Sequence, residues 1–68
     1  MTSAKVGIRL KKDFHLRKYL LSNVVDKYAE RCGALRCRNS QNFHVFYEWD
    51  EESYQKLLTL KKEILEDL

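Results

Sequence analysis

The residues best equipped for chemistry gather between Ala34 and Asp50, in the stretch ALRCRNSQNFHVFYEWD. Arg36 and Arg38 alternate with Leu35 and Cys37. A few residues on, Asn42, His44, Phe46 and Glu48 alternate with Phe43, Val45, Tyr47 and Trp49. Neighbouring side chains of an extended strand point to opposite faces. The pattern therefore predicts one apolar face, and one face carrying two guanidinium groups, an imidazole and a phenyl ring. Guanidinium groups pair with phosphate oxygens, and a flat ring stacks on an unpaired base. A stacked base is typically worth about 1 to 3 kcal/mol, so phosphate contacts, which weaken with salt, must supply the rest of the affinity for a strand.

Two other groupings invite metal or catalytic chemistry. Cys32, Cys37, His15 and His44 are of the types that hold zinc. Their spacing, CxxxxCxxxxxxH, lacks the paired ligands of a tight knuckle, and Cys37 and His44 are expected on opposite strand faces. A Cys32–Cys37 disulfide needs Cα atoms within about 7 Å, and in a reducing compartment two free thiols are the expectation. His44 and Glu48 share a face, but nothing in the pattern builds a pocket around such an acid–base pair. His15 beside Asp13 reads as a surface residue. No glycine-rich phosphate loop, HExxH or supported Ser-His-Asp set is present. The expectation is a non-enzyme without metal or cofactor.

The elements that must position these residues follow from periodicity. Lys5 to Leu10 reads as a first strand, with Val6, Ile8 and Leu10 on one side and Lys5, Gly7 and Arg9 on the other. Asp13 is then placed to cap a helix over Phe14 to Cys32, where Leu16, Leu20, Leu21, Val24, Val25, Tyr28 and Cys32 recur at three- and four-residue spacing, and Gly33 stops it. The loop around Asn39 to Asn42 closes a hairpin, although no Asn-Gly pair fixes its turn type. Asp50 caps a last helix whose first turn holds Glu51 and Glu52 and whose stripe comprises Tyr54, Leu57, Leu58, Ile64, Leu65 and Leu68. Lys61 interrupts that stripe, its stem long enough to cover apolar surface. Glu66 and Asp67 sit at the unfavourable end with no cap at Leu68, which fits either fraying or a chain that runs on.

Assembled, these elements predict a two-layer α+β domain of order β-α-β-β-α over residues 1–68, standing alone or within a longer protein. Its three-stranded antiparallel sheet has order 1-3-2, with both helices on one face. The core face bears Val6, Ile8, Leu10, Leu35, Cys37, Phe43, Val45, Tyr47 and Trp49. The open face collects Lys5, Gly7, Arg9, Arg36, Arg38, Asn42, His44, Phe46 and Glu48.

Composition is consistent with this expectation. A chain of 68 residues buries only roughly 60% of its unfolded surface, too little for an enclosed, multilayered active site. The formal charge of +3 and pI near 9.0 favour anionic partners. The cations crowd the first 38 residues, whereas seven of the ten acids lie in the last 30. No run of about 18 apolar residues spans a membrane, and the Met-Thr-Ser start has no apolar signal region, so an intracellular, cytoplasmic location is expected.

The functional expectation is a small nucleic-acid-binding module for single-stranded RNA or DNA rather than a small molecule. Lys5, Arg9, Arg36 and Arg38 would hold phosphates and Phe46 would stack. His44, together with Lys12 and Arg17 of a second basic cluster, would extend the surface. The alternative is a regulatory module that docks on a protein partner or on a second copy of itself through the same face.

Overall fold

A computed structural model of the chain describes residues 1–15 and 21–66. Among them are four helices and one two-stranded sheet: α1 (Ser3–Phe14), α2 (Ser22–Cys32), β1 (Leu35–Arg38), β2 (Val45–Glu48), α3 (Glu51–Thr59) and α4 (Lys61–Glu66). The α+β character stands, but the expected three-stranded sheet with two helices does not. None of these helices is long and apolar enough to cross a membrane.

The largest correction concerns residues 3–14, where a helix replaces the expected strand. Val6, Ile8 and Leu10 alternate as a strand would, yet Ser3, Val6, Gly7 and Leu10 also repeat at helical spacing, and those are the buried residues of α1. Ile8 is 55% exposed. A helix satisfies its own backbone groups without a neighbouring strand, and Ala4, Lys5, Arg9, Leu10, Lys11 and Lys12 are all good helix formers. The helix ends at His15 in the left-handed conformation (φ 52°). Asp13 therefore sits in the last turn of α1, not ahead of a helix start. The single helix expected over Phe14 to Cys32 is likewise divided. Phe14 closes α1, a second helix starts at Ser22, and Leu16 to Leu20 lie outside the described residues.

α2 buries Val25, Tyr28, Ala29 and Cys32, and Gly33 terminates it at φ 84°, a conformation that suits glycine alone at little cost. The Gly33 N–H donates to the Glu30 carbonyl and the Ala34 N–H to the Ala29 carbonyl, the paired bonds of a Schellman ending. Asp50 caps α3 by accepting from the Ser53 N–H at 2.7 Å. The last helix breaks at Leu60, where the Leu60 N–H reaches the Leu57 carbonyl and the Thr59 hydroxyl donates to the Lys56 carbonyl. A hydroxyl bonding back to its own helix competes with the regular ladder. Asp67 and Leu68 lie outside the described residues.

The core is built by helices: Val6, Leu10, Val25, Tyr28, Ala29, Cys32, Tyr54, Leu57 and Ile64, joined by Trp49 at the end of the hairpin. Lys61 places its Nζ over the Phe14 ring, 4.5 Å from the centre. No strand residue is fully buried, so the hairpin leans on the helices instead of forming a layer beneath them.

Its register also differs from the expected one. Leu35 pairs with Glu48, Arg36 with Tyr47, Cys37 with Phe46 and Arg38 with Val45. Directly opposed residues share a face. Arg36 and Arg38 therefore stand with Val45 and Tyr47, whereas Leu35 and Cys37 stand with Phe46 and Glu48. The loop sets this parity. The Asn39 N–H bonds to the His44 carbonyl, the Phe43 N–H to the Asn39 carbonyl, and the Asn39 and Asn42 side chains accept from the Gln41 and His44 N–H groups. Phe43 closes the turn at φ 57°.

Candidate nucleic-acid interface

Among the described residues, those expected to form one basic face are split between α1 and the hairpin. Lys5, Arg9 and Lys12 stand on α1, Arg17 lies outside the described residues, and Arg36, Arg38, His44 and Phe46 belong to the hairpin. Within the hairpin, Phe46 is on the opposite face from both arginines. His44 precedes β2, and Glu48 receives the Met1 ammonium at 3.2 Å. Leu35 and Phe43, expected in the core, are 67% and 71% exposed, and Cys37 is half-buried.

Arg9 is engaged with carboxylates of its own fold. Its two terminal nitrogens grip the Glu51 carboxylate at 2.5 and 2.6 Å, its Nε reaches Asp13 at 3.3 Å, and its carbon lies 4.0 Å from the Tyr54 ring centre. The Tyr54 hydroxyl donates to the same Asp13 oxygen at 3.1 Å. The Arg9 guanidinium holds the Glu51 carboxyl down at about 2. Burial, then the bond to Asp13, pushes the Tyr54 phenol up to about 12. This knot ties the end of α1 to the start of α3.

Arg31 is engaged in the same way, with Glu63 at 3.0 and 3.4 Å. The acids of the last 30 residues thus neutralise arginines of the first half across the core. Arg36 and Arg38 are treated differently: both are exposed and neither forms an ion pair among the described residues. They line a shallow groove of about 180 Å³ together with Cys37 and Val45.

A larger cleft of about 380 Å³ opens beside it, along the outer edge of β2. Its wall comprises Ser3 at the start of α1, Ser22 and Asp26 at the start of α2, and His44, Phe46 and Tyr47 of the hairpin. Val45 lines both hollows. In the cleft, the Ser3 hydroxyl donates to Asp26 Oδ1 and accepts from the Trp49 indole N–H at 3.2 Å. The Tyr47 hydroxyl donates to Glu30 at 3.2 Å; burial, then this bond, raises its phenol above the usual range. Sequence periodicity gives no sign of Ser3, Ser22 and Asp26, because only the packing of α1 on α2 brings them together.

Both cysteines are free thiols. Cys32 is buried, and burial raises its thiol above the ordinary range. Cys37 contacts the Leu35 carbonyl at 3.7 Å. Among the described residues no group of three His, Cys, Asp or Glu side chains is arranged to hold a metal ion.

Comparison of the chain with protein-family models, with curated proteins and with solved structures returns no match. The chemistry of the site must therefore be read from its own geometry.

Proposed function

We propose that the chain is a small non-enzymatic module that binds single-stranded nucleic acid with its hairpin, Arg36 and Arg38 holding consecutive phosphates. One observation carries this reading. Among the described arginines, Arg9 and Arg31 are locked onto carboxylates, while the two that alternate on β1 are left exposed without an acidic partner. Side chains two residues apart on a strand repeat every ~6.7 Å, a step suited to successive phosphates of an extended strand. The loop adds Asn39, Ser40, Gln41, Asn42 and His44, whose exposed polar groups suit sugar and base edges. Lys5 and Lys12, exposed on α1, supply further positive potential.

The test is a fluorescence-anisotropy titration of labelled oligothymidylate and oligouridylate across a salt series. Replacing Arg36 and Arg38 with Gln is expected to reduce the slope of log affinity against log salt by about 1.4, since each phosphate neutralised on a single strand contributes about 0.7. A slope identical to that of the parent protein overturns the assignment.

A second reading, docking on a protein or on another copy, draws support from the exposure of Leu35 and Phe43 and from a two-stranded sheet whose edges are both unpaired among the described residues. Sedimentation of the free chain separates the two. A dimer that buries Leu35 and excludes the oligonucleotide favours the second.

A further inference from the structure

We propose that the cleft between the starts of α1 and α2 and the outer edge of β2 holds one unpaired guanine of the bound strand, with Asp26 as its recognition group. The proposal rests on the nucleic-acid reading above and adds base selectivity to it.

Position supports it first. Val45 is shared between the groove of Arg36 and Arg38 and the cleft. A strand whose phosphates lie on the arginines reaches the larger hollow by passing Val45 at the edge of β2, since Phe46 stands on the other face of the hairpin. The cleft, at about 380 Å³, falls at the lower end of the roughly 300 to 1,000 Å³ typical of small-ligand sites. It accommodates a single base and is too small for a folded peptide.

Its lining matches the two needs of a base. Phe46, half-buried, is among the lining residues, and an aromatic ring is the group on which unpaired bases stack in single-strand sites. Asp26 supplies edge recognition. Its Oδ1 accepts from the Ser3 hydroxyl. An ionised carboxylate only accepts hydrogen bonds and has room for about four. It therefore selects a partner with adjacent donors.

Among the common bases only guanine presents two neighbouring donors on its pairing edge, the ring N1–H and the exocyclic amine. Adenine and cytosine place an acceptor nitrogen beside their single amine, and uracil and thymine flank one N–H with two carbonyls. Each of those acceptors faces a carboxylate oxygen with repulsion. The fixed Trp49–Ser3–Asp26 chain of hydrogen bonds orients the carboxylate before the base arrives.

The test compares two labelled oligonucleotides of equal length and charge, oligothymidylate and the same strand with one central guanine. Guanosine and adenosine without phosphate are titrated in parallel and followed by amide chemical shifts. The central guanine is expected to tighten binding by about fivefold or more, and guanosine alone to shift the amides of Ser22, Asp26 and Phe46. Asp26→Asn places an amide where guanine needs an acceptor. It is expected to abolish the guanine preference while leaving oligothymidylate affinity and its salt slope unchanged. Asn retains a carbonyl for the Ser3 hydroxyl, and a far-UV spectrum identical to the parent's establishes that the variant folds.

Phe46→Leu is a second variant that weakens guanosine and adenosine alike. Equal affinity for the two oligonucleotides, or a preference that survives in Asp26→Asn, overturns the guanine pocket while the phosphate-binding function stands. Failure of both strands to bind at any salt concentration overturns the two together.

Discussion

Replacing Val6 and Ile8 by alanine, one at a time, separates helix from strand over the first segment. On a strand the two side chains share a face, and the larger one costs more to remove. In α1 they lie on different sides, Val6 sealed in the core and Ile8 more than half exposed. Val6→Ala deletes two packed carbons at about 0.8 kcal/mol each and leaves a void as well, for a loss of about 2 kcal/mol once alanine's higher helix propensity is subtracted. Ile8→Ala deletes three carbons, but with less than half of their surface out of water the transfer cost is about 1 kcal/mol. Alanine's higher helix propensity offsets roughly 0.4 kcal/mol of that.

A domain of this length has a total stability of roughly 3 to 10 kcal/mol. Both variants therefore stay folded enough to measure. Urea unfolding followed by far-UV circular dichroism, with m near 1 kcal/mol/M, should place the Val6→Ala midpoint about 2 M below the parent's and the Ile8→Ala midpoint about 0.6 M below. An Ile8→Ala loss equal to or above that of Val6→Ala, at unchanged m, would refute the helix.

Two further outcomes follow from the hairpin loop and the arginine knot. Phe43 adopts φ 57° with its ring mostly in water, and asparagine tolerates that conformation better. Phe43→Asn should raise stability by about 1 kcal/mol in the same urea experiment; a loss would show that the exposed ring contributes packing. Glu51 has its folded-state carboxyl held at about 2 against an ordinary 4.5. A depressed carboxylate contributes stability that is complete above the ordinary value and fades as pH falls toward the folded one. The melting temperature should thus decline between about pH 4.5 and pH 2, and Arg9→Gln should shallow that decline. Superimposable acid limbs for parent and variant would show that the Arg9–Glu51 grip has no such effect.

Much of the second half was legible in the residues themselves. The Gly33 stop, the hairpin, the Asp50 cap and the burial of Trp49, Tyr54 and Leu57 each depend on local chemistry that composition and spacing expose. The first segment was not, because Val6-x-Ile8-x-Leu10 satisfies a period of two while Ser3, Val6, Gly7 and Leu10 satisfy one of 3.6, and only tertiary packing decides between them. The grouping of Arg36 and Arg38 with Phe46 failed for a different reason. Face identity across a hairpin depends on loop parity, and a loop closed by asparagine side chains carries no dipeptide that fixes it. Arg9 looked available because its partners Glu51 and Tyr54 lie more than forty residues away. Pairings at that distance leave no periodic trace.

The contact between Trp49 and Ser3 has a spectroscopic consequence. The chain contains one tryptophan, shielded from water, with its indole N–H bonded to the hydroxyl that also orients Asp26. Indole emission responds to the hydrogen-bonding state of that nitrogen. Any occupant that draws on the Asp26 carboxylate changes the partner of the indole's partner and so alters the emission. The cleft therefore comes with an intrinsic optical reporter, readable in the unlabelled protein without substituting a residue.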